Sequence, residues 1–321
     1  MTRVLLTGAA GQIGTELASA LAADLGPQNV LVTDVRDPGE WHRGPGPAAV
    51  LDCLDPAAVN GTLAQFRPDH VYHLAAVLSA TGEKRPQRAW ELNVGSLINV
   101  LEAARAHPCR LFVPSSIAAF GPAAPRNPTP QRTIQRPNTM YGITKVAGEL
   151  LCDYYHSRFD VDVRGVRFPG LISYTAPPGG GTTDYAVEIF HAAVQDGHYT
   201  CFLGPDTRLD MMYLADGIRA ARELMEAPGE SLEDRNAYNI TAMQFTPAEL
   251  ARAIQRVMPE FTIDYDPDSV RQAIADSWPE RLDDSAARAQ WGWKPHYGLE
   301  RMVEVMLEGA SRMRSQDEHT V

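Results

Sequence analysis

The stretch from Arg3 to Leu25 constrains this chain more than any other. Arg3 to Thr7 is a short aliphatic run that reads as a buried strand. Gly8-Ala9-Ala10-Gly11-Gln12-Ile13-Gly14 follows, and the apolar periodicity beyond it predicts a helix to about Leu25. A G-x-x-G-x-x-G between a strand and a helix is a dinucleotide-binding turn. Gly8 allows the tight turn, Gly11 lets the backbone approach a pyrophosphate, and Gly14 lets helix and strand pack closely. The first-turn N–H groups, those of Gln12 and Ile13 among them, then face the phosphates.

The chain continues as strand, helix, strand, helix. Val30 to Thr33 predicts the second strand, with Asp34 at its carboxyl end. A carboxylate there accepts hydrogen bonds from ribose hydroxyls and repels a 2′-phosphate, which favours NAD over NADP. Arg36 is the competing feature, since a guanidinium can hold that phosphate; Asp34 is preferred because it occupies the strand end itself. Pro38 to Pro47 reads as a surface loop. Val50-Leu51-Asp52 predicts a third strand, and Asp52 and Cys53 can border the adenine. Asp55-Pro56 reads as the N-cap and first residue of a helix to about Phe66. Val71 to Leu74 is the fourth strand, closed by Ala75-Ala76, small residues suited to clearing a ligand. His73 reads as an ordinary strand-end histidine. Val77 to Arg88 reads as a loop carrying Leu78, Ser79 and Thr81 to the mouth of a site, and Trp90 to Ala106 as a long helix containing Asn93. Leu111 to Pro114 is the fifth strand, with Ser115-Ser116 at its carboxyl end, the side on which open parallel sheets bind ligands. Gly121 to Pro137 is loop, Tyr141 to about Phe159 a helix, and Val161 to Arg167 the sixth strand. The expected class is α/β: a doubly wound parallel Rossmann sheet, with right-handed crossovers, followed by a smaller C-terminal substrate lobe. The expected division is residues 1–170 for the dinucleotide domain and 171–321 for the lobe, with interleaved elements.

Tyr141 and Lys145 lie four residues apart, hence on one side of a helix. A free phenol has a pKa of ~10, and a neighbouring ammonium lowers the cost of its charged form. Such a tyrosine can exchange a proton with an alcohol or ketone, and Ser116 can hydrogen-bond the same oxygen. In the C-terminal half, Pro177 to Asp184 is a glycine-proline loop ending in Thr182, Thr183 and Asp184. Thr182 or Thr183 either caps the next helix or faces a ligand. Gly179 to Gly181, Gly180 included, can donate backbone N–H groups to a carboxylate, while Asp184 accepts from an ammonium. Short strands are expected at 199–203, 237–240 and 262–265, Thr246-Pro247 opens a helix, and the polar tail from Ser311 is expected to fray.

The net charge is −11 with no basic block, which argues against nucleic acid or an anionic membrane as partner. The four cysteines, Cys53, Cys109, Cys152 and Cys201, show no C-x-x-C, so neither a metal site nor a disulfide framework is expected, and a cytoplasmic setting follows. No apolar run reaches membrane-spanning length, and the first strand begins too near Met1 to leave room for a signal peptide.

Taken together, Gly8-x-x-Gly11-x-x-Gly14, Asp34, Leu74-Ala75-Ala76, Asn93, Ser115-Ser116, Tyr141-x-x-x-Lys145 and Phe168-Pro169-Gly170 resemble the extended short-chain dehydrogenase/reductase family. More narrowly, the runs 115–121, 169–173, 178–186 and 271–278, with Asp283-Asp284-Ser285 and Trp291-Gly292-Trp293, look like the short-chain-type L-threonine 3-dehydrogenases, over nearly the whole chain. The resemblance implies oxidation of L-threonine at C3 to L-2-amino-3-oxobutanoate with hydride transfer to NAD+. It implies catalysis by Tyr141, Lys145 and Ser116, with the lysine also on the nicotinamide ribose. It implies cofactor contacts from Leu74, Ala75, Ala76, Asn93 and Leu171, and an amino-acid pocket lined by Ser79, Ser115, Thr182 and Thr183. A homodimer pairing the helices at 90–106 and 141–159 is implied likewise. The rivals are a nucleotide-sugar epimerase or dehydratase, for which Arg208, Arg219 and Arg222 are available, and a non-catalytic dinucleotide-binding regulator. A zinc-dependent threonine dehydrogenase is disfavoured by the missing ligand spacing.

Overall fold

The computed structural model describes residues 1–175 and 180–318. Its first half builds β1 (Val4–Thr7), α1 (Gln12–Leu25), β2 (Val30–Asp34), α2 (Pro38–Trp41), β3 (Ala48–Val50), α3 (Pro56–Phe66), β4 (His70–His73), α4 (Ser79–Lys84), α5 (Pro86–Trp90), α6 (Ser96–Ala106), β5 (Arg110–Phe112), β6 (Ser115–Ser116), α7 (Met140–Phe159), β7 (Asp162–Arg164), β8 (Val166–Phe168) and β9 (Gly170–Ile172). The second half adds α8 (Tyr185–Asp196), β10 (His198–Cys201), β11 (Leu209–Tyr213), α9 (Leu214–Glu226), β12 (Tyr238–Asn239), β13 (Met243–Phe245), α10 (Pro247–Val257), β14 (Thr262–Tyr265), α11 (Ser269–Asp276), α12 (Ser285–Trp291) and α13 (Leu299–Glu318).

Six strands form an all-parallel sheet in the order β3-β2-β1-β4-β5-β7. The order reverses between β1 and β4, and the crevice at that switch point is where doubly wound sheets hold dinucleotides. Each buried strand reads as a continuous apolar run because helices cover both faces. On one face Leu5, Val71 and Leu111 pack with Val59, Leu63, Val100, Leu101 and Cys152 from α3, α6 and α7. On the other, Val4, Leu6 and Tyr72 pack with Leu17 and Leu21 of α1 and with Leu214, Ile218 and Leu224 of α9. The chain therefore crosses back: α9, from beyond residue 170, supplies a layer of the first sheet. The third core carries the lobe, with Phe190, Phe245, Ile254 and Met306 in it, and it reaches Tyr141.

Local chemistry explains the element ends. Asp55 accepts from Ala57 and Ala58 N–H, with Pro56 first in α3, and Thr246 and Glu249 form a capping box on α10. Several expectations are corrected. The 38–47 loop contains the turn α2, capped by Asp37. The third strand begins two residues earlier, at Ala48. The 77–88 loop folds as α4 and α5. The helix around Asn93 is interrupted by a π-helical turn, Glu91–Gly95. The sixth strand divides at Gly165, where a Cβ would come within 2.2 Å of Val113 O. β8 then leaves the main sheet to pair with β6 and β12. β9, β11 and β13 make a further small sheet, all three strands of which the sequence reading lacks. The tail does not fray at Ser311: Met302, Val303, Met306, Leu307 and Ala310 are buried, and α13 runs on to Glu318.

Candidate active site

Ser116, Tyr141 and Lys145 are brought to one cavity by a contact that needs glycine. Thr139 caps α7, its Oγ1 accepting from Gly142 N–H at 3.1 Å. A Cβ on Gly142 would stand 2.2 Å from Ala118 O. Its absence lets the first turn of α7 lie on the short turn Ile117–Ala119 that Ser116 opens. Ser116 is half-buried and its Oγ accepts from Ala118 N–H at 3.2 Å. Tyr141 is buried, and Lys145 Nζ lies 5.4 Å from its ring centroid while donating to Pro114 O at 2.7 Å. Glu83 of α4 accepts from Met140 N–H at 2.6 Å, at the positive end of the α7 dipole.

The cavity, about 150 Å³, is lined by Gln12, Ile13, Ser79, Ser116, Tyr141, Lys145, Leu171, Thr182, Thr183, Asp184 and Trp278 among others. It is smaller than the roughly 300–1,000 Å³ of sites for drug-sized ligands. Thr182 is 0% exposed and its Oγ1 has no hydrogen-bond partner among the described residues. Ser79 is buried on the same cavity. Trp278, just past α11, Ile117 and Phe168 are among the cavity residues that reasoning from motifs did not name as a site; the signal for Trp278 lay in the 271–278 run.

Other expected site residues are committed elsewhere. Ser115 lines the cavity, but its hydroxyl donates to Glu149, which is also held by both arms of Arg167 (2.9 and 2.8 Å) and by Gln135 (2.6 Å). Neither Thr182 nor Thr183 caps α8: Asp184 precedes it, without a side-chain cap bond. Asp184 instead accepts from Gly180 and Gly181 N–H at 2.7 and 2.6 Å. That corrects the expected division of labour, because those two N–H groups are already taken by the carboxylate expected to receive an ammonium. Gly179 lies outside the described residues. Burial raises the Asp184 pKa, against the pull of the Gly181 and Gly180 N–H groups.

On the dinucleotide side, Gly8 has φ +66°, and a Cβ there would stand 2.6 Å from Ala75 N, so the turn is pressed against Leu74-Ala75. Gly14 is packed as closely on Ala9, whereas a Cβ on Gly11 would meet only Gly8 O, at 3.4 Å. That open backbone is a cradle a pyrophosphate fits. Asp34 ends β2 and accepts from Ala10 N–H at 3.1 Å. The Arg36 competition resolves into a pair, since Arg36 N and Nε both donate to Asp34 Oδ1 at 3.2 Å. Asp52 accepts from Leu54 N–H at 2.9 Å within its own turn. The Cys53 thiol is buried and pushed up to about 11, mainly by burial. The Asn93 amide, turned inward by the π-helical turn, bonds Val77 N–H (2.7 Å), Val77 O (3.0 Å) and Thr144 Oγ1 (3.0 Å). It braces the segment after β4 against α7. His73 bonds Thr7 Oγ1 at 2.8 Å and Ser96 Oγ at 3.1 Å, and burial, then the Lys145 charge, lowers its pKa to about 3.

A doubly wound sheet with a dinucleotide turn at its switch point and a serine, tyrosine and lysine around one cavity defines a nicotinamide-dependent oxidoreductase. The chain belongs to the NAD dependent epimerase/dehydratase family, which matches residues 4–241, and NAD is its cofactor. It is 53% identical over 309 residues to an uncharacterized epimerase/dehydratase of Staphylococcus saprophyticus, covering 96% of this chain and 97% of that one. The X-ray structure of L-threonine dehydrogenase from Clostridium difficile superposes with a TM-score of 0.95 at 50% identity, covering 98% of both chains. The holo form of a GalE-like L-threonine dehydrogenase from Cupriavidus necator superposes at 0.91 with 53% identity, covering 95% of this chain and 99% of that one. No helix among the described residues is long and apolar enough to cross a membrane.

Proposed function

We propose that this protein oxidises L-threonine at C3, giving L-2-amino-3-oxobutanoate. The observation that carries the reading is the small cavity in which the unpartnered, fully buried Thr182 hydroxyl shares walls with Ser116, Tyr141 and Lys145. The names of the two dehydrogenase structures support it. Gly8, Gly11, Gly14 and the N–H groups of Gln12 and Ile13 hold the pyrophosphate of NAD, Asp34 the adenosine ribose, and Lys145 and Leu171 border the nicotinamide. NAD supplies the acceptor for the C3 hydride. Ser116 hydrogen-bonds the C3 oxygen and Tyr141 takes its proton. The Lys145 ammonium offsets the negative charge on the tyrosine oxygen during the exchange. Thr182 Oγ1 donates to the substrate carboxylate, and Ser79 and Trp278 close the pocket around the methyl end.

The family description keeps a nucleotide-sugar substrate in view. Such a substrate needs free cations for a diphosphate, and the three arginines available in sequence are engaged: Arg208 with Glu249 at 2.6 Å, Arg219 with Asp216 and Glu223 at 2.9 Å, and Arg222 with Asp24. The test is NADH formation with L-threonine against turnover of UDP-sugars, in wild type and Tyr141→Phe. The expected outcome is activity on threonine alone, falling about 100-fold or more in the variant with NADH binding kept. Turnover of the sugars, or full activity without the phenol, removes the reading.

The homodimer belongs to the same proposal. Trp90 at the end of α5, Ile98 on α6, and Ile143, Leu150 and Tyr154 on α7 are exposed apolar residues. The last three recur at seven and four positions, which keeps them on one face. A cytoplasmic setting is supported by four free cysteines.

A further inference from the structure

The segment that joins β9 to the substrate loop is tied to the dinucleotide helix by one carboxylate. Ser173 and Thr175 follow β9, and both hydroxyls donate to Glu16 Oε1. Their oxygens lie 2.9 Å apart, and Thr175 N–H donates to Ser173 Oγ at 3.1 Å. Tyr174 between them faces the opposite way, its ring against Gly309 of α13, where a Cβ would approach within 2.4 Å. Glu16 lies just beyond the first turn of α1, whose Gln12 and Ile13 line the cavity. Gly170 and Leu171 before the tie, and Gly181 to Thr183 after it, line that cavity too. Glu16 itself does not.

We propose that Glu16 is a positioning residue that couples dinucleotide binding to the placement of the substrate loop. Two hydroxyls on one carboxylate oxygen make charge-assisted bonds, stronger than neutral ones. The position of that oxygen is set by α1, whose leading N–H groups point toward the pyrophosphate. A ligand that fixes the first turn of α1 therefore fixes Glu16, and with it Ser173 and Thr175, seven positions before Thr182 in the chain. Coupling between two sites is reciprocal: a filled substrate pocket tightens the dinucleotide by the same factor. The proposal rests on the NAD site, and, for its second readout only, on threonine as substrate.

The first experiment uses NADH alone. Backbone hydrogen exchange is measured at the amides of Thr175 and Gly180 to Asp184, with and without saturating NADH, in wild type, Glu16→Gln and Glu16→Ala. NADH is expected to slow exchange there on the order of tenfold in wild type and less than twofold in Glu16→Ala. Glu16→Gln, which keeps an acceptor oxygen of equal reach but no charge, falls between and guards against a folding defect. Thr175→Val, which removes one donor at an exposed hydroxyl, is expected to reduce the protection in part. The second readout is the dissociation constant of NADH with and without saturating L-threonine. Wild type is expected to show a ratio on the order of 5- to 50-fold, and Glu16→Ala a ratio near one, with its KM for threonine raised and its NADH affinity alone within about threefold of wild type. Equal NADH protection in wild type and Glu16→Ala overturns the coupling. A wild type that shows the protection but neither binds nor oxidises L-threonine leaves the coupling supported and removes the substrate reading.

Discussion

Replacing Thr182 with valine should change stability and function in opposite directions. The two side chains have nearly the same shape, so the exchange swaps a hydroxyl for a methyl without opening a cavity. That hydroxyl is fully buried and has no partner among the described residues, and a buried hydroxyl without a partner costs about 1–3 kcal/mol. Thr182→Val should therefore stabilise the ligand-free protein by about 1 kcal/mol. For 321 residues, at about 2.1 cal/mol/K of unfolding entropy per residue, that raises Tm by about 1.5 °C. In the proposed role the same hydroxyl serves the substrate carboxylate, and a hydrogen bond to a charged group contributes about 1.5–3 kcal/mol. KM for L-threonine should then rise on the order of 10- to 100-fold, with KM for NAD within about twofold. Scanning calorimetry without ligand and initial rates of NADH formation read the two arms separately. A variant that melts lower and keeps its KM for threonine refutes the reasoning, because the hydroxyl would then hold the loop rather than the ligand.

Three further outcomes are expected. Asp34→Ala removes the ribose acceptor and releases Arg36 from its 3.2 Å pairing. The preference for NAD over NADP, measured as a ratio of kcat/KM values, should fall on the order of 10- to 100-fold; an unchanged ratio refutes this. His73 is held neutral in the fold, its pKa lowered from 6.5 to about 3. Its contribution is thus complete above pH 6.5 and is lost as pH falls toward 3, on the order of 3 kcal/mol by pH 4. Urea unfolding of His73→Gln should lose that part of the acid dependence, and a wild-type-minus-variant difference that is flat from about pH 4 to 7 contradicts it. Leu150, 62% exposed on α7, should be covered in a dimer: Leu150→Arg should sediment as the 35.2 kDa chain at micromolar concentration, and a wild type already at that mass removes the dimer.

What could be read from the sequence was written in short-range chemistry. The glycine turn after β1, Asp34 at the end of β2, the four-residue spacing of Tyr141 and Lys145, and the caps at Asp55 and Thr246 all act between residues a few positions apart. The strand–helix alternation that specifies the parallel sheet is likewise local, since the periodicity of each element declares which side is buried. The tertiary structure decided what each polar group is bonded to. Ser115 is occupied by Glu149, 34 positions on, the Gly180 and Gly181 N–H groups by Asp184, and Asn93 by Val77 and Thr144. Glu16 meets Ser173 across 157 positions, and Trp278, just past α11, shares the cavity with Tyr141. Even helix α13 persists through a polar tail because its inner face is buried against α8 and α10. Hydrogen-bond partners are settled by burial and packing, which bring distant segments together, and a carboxylate or hydroxyl has the same composition whether it is free for a ligand or already engaged.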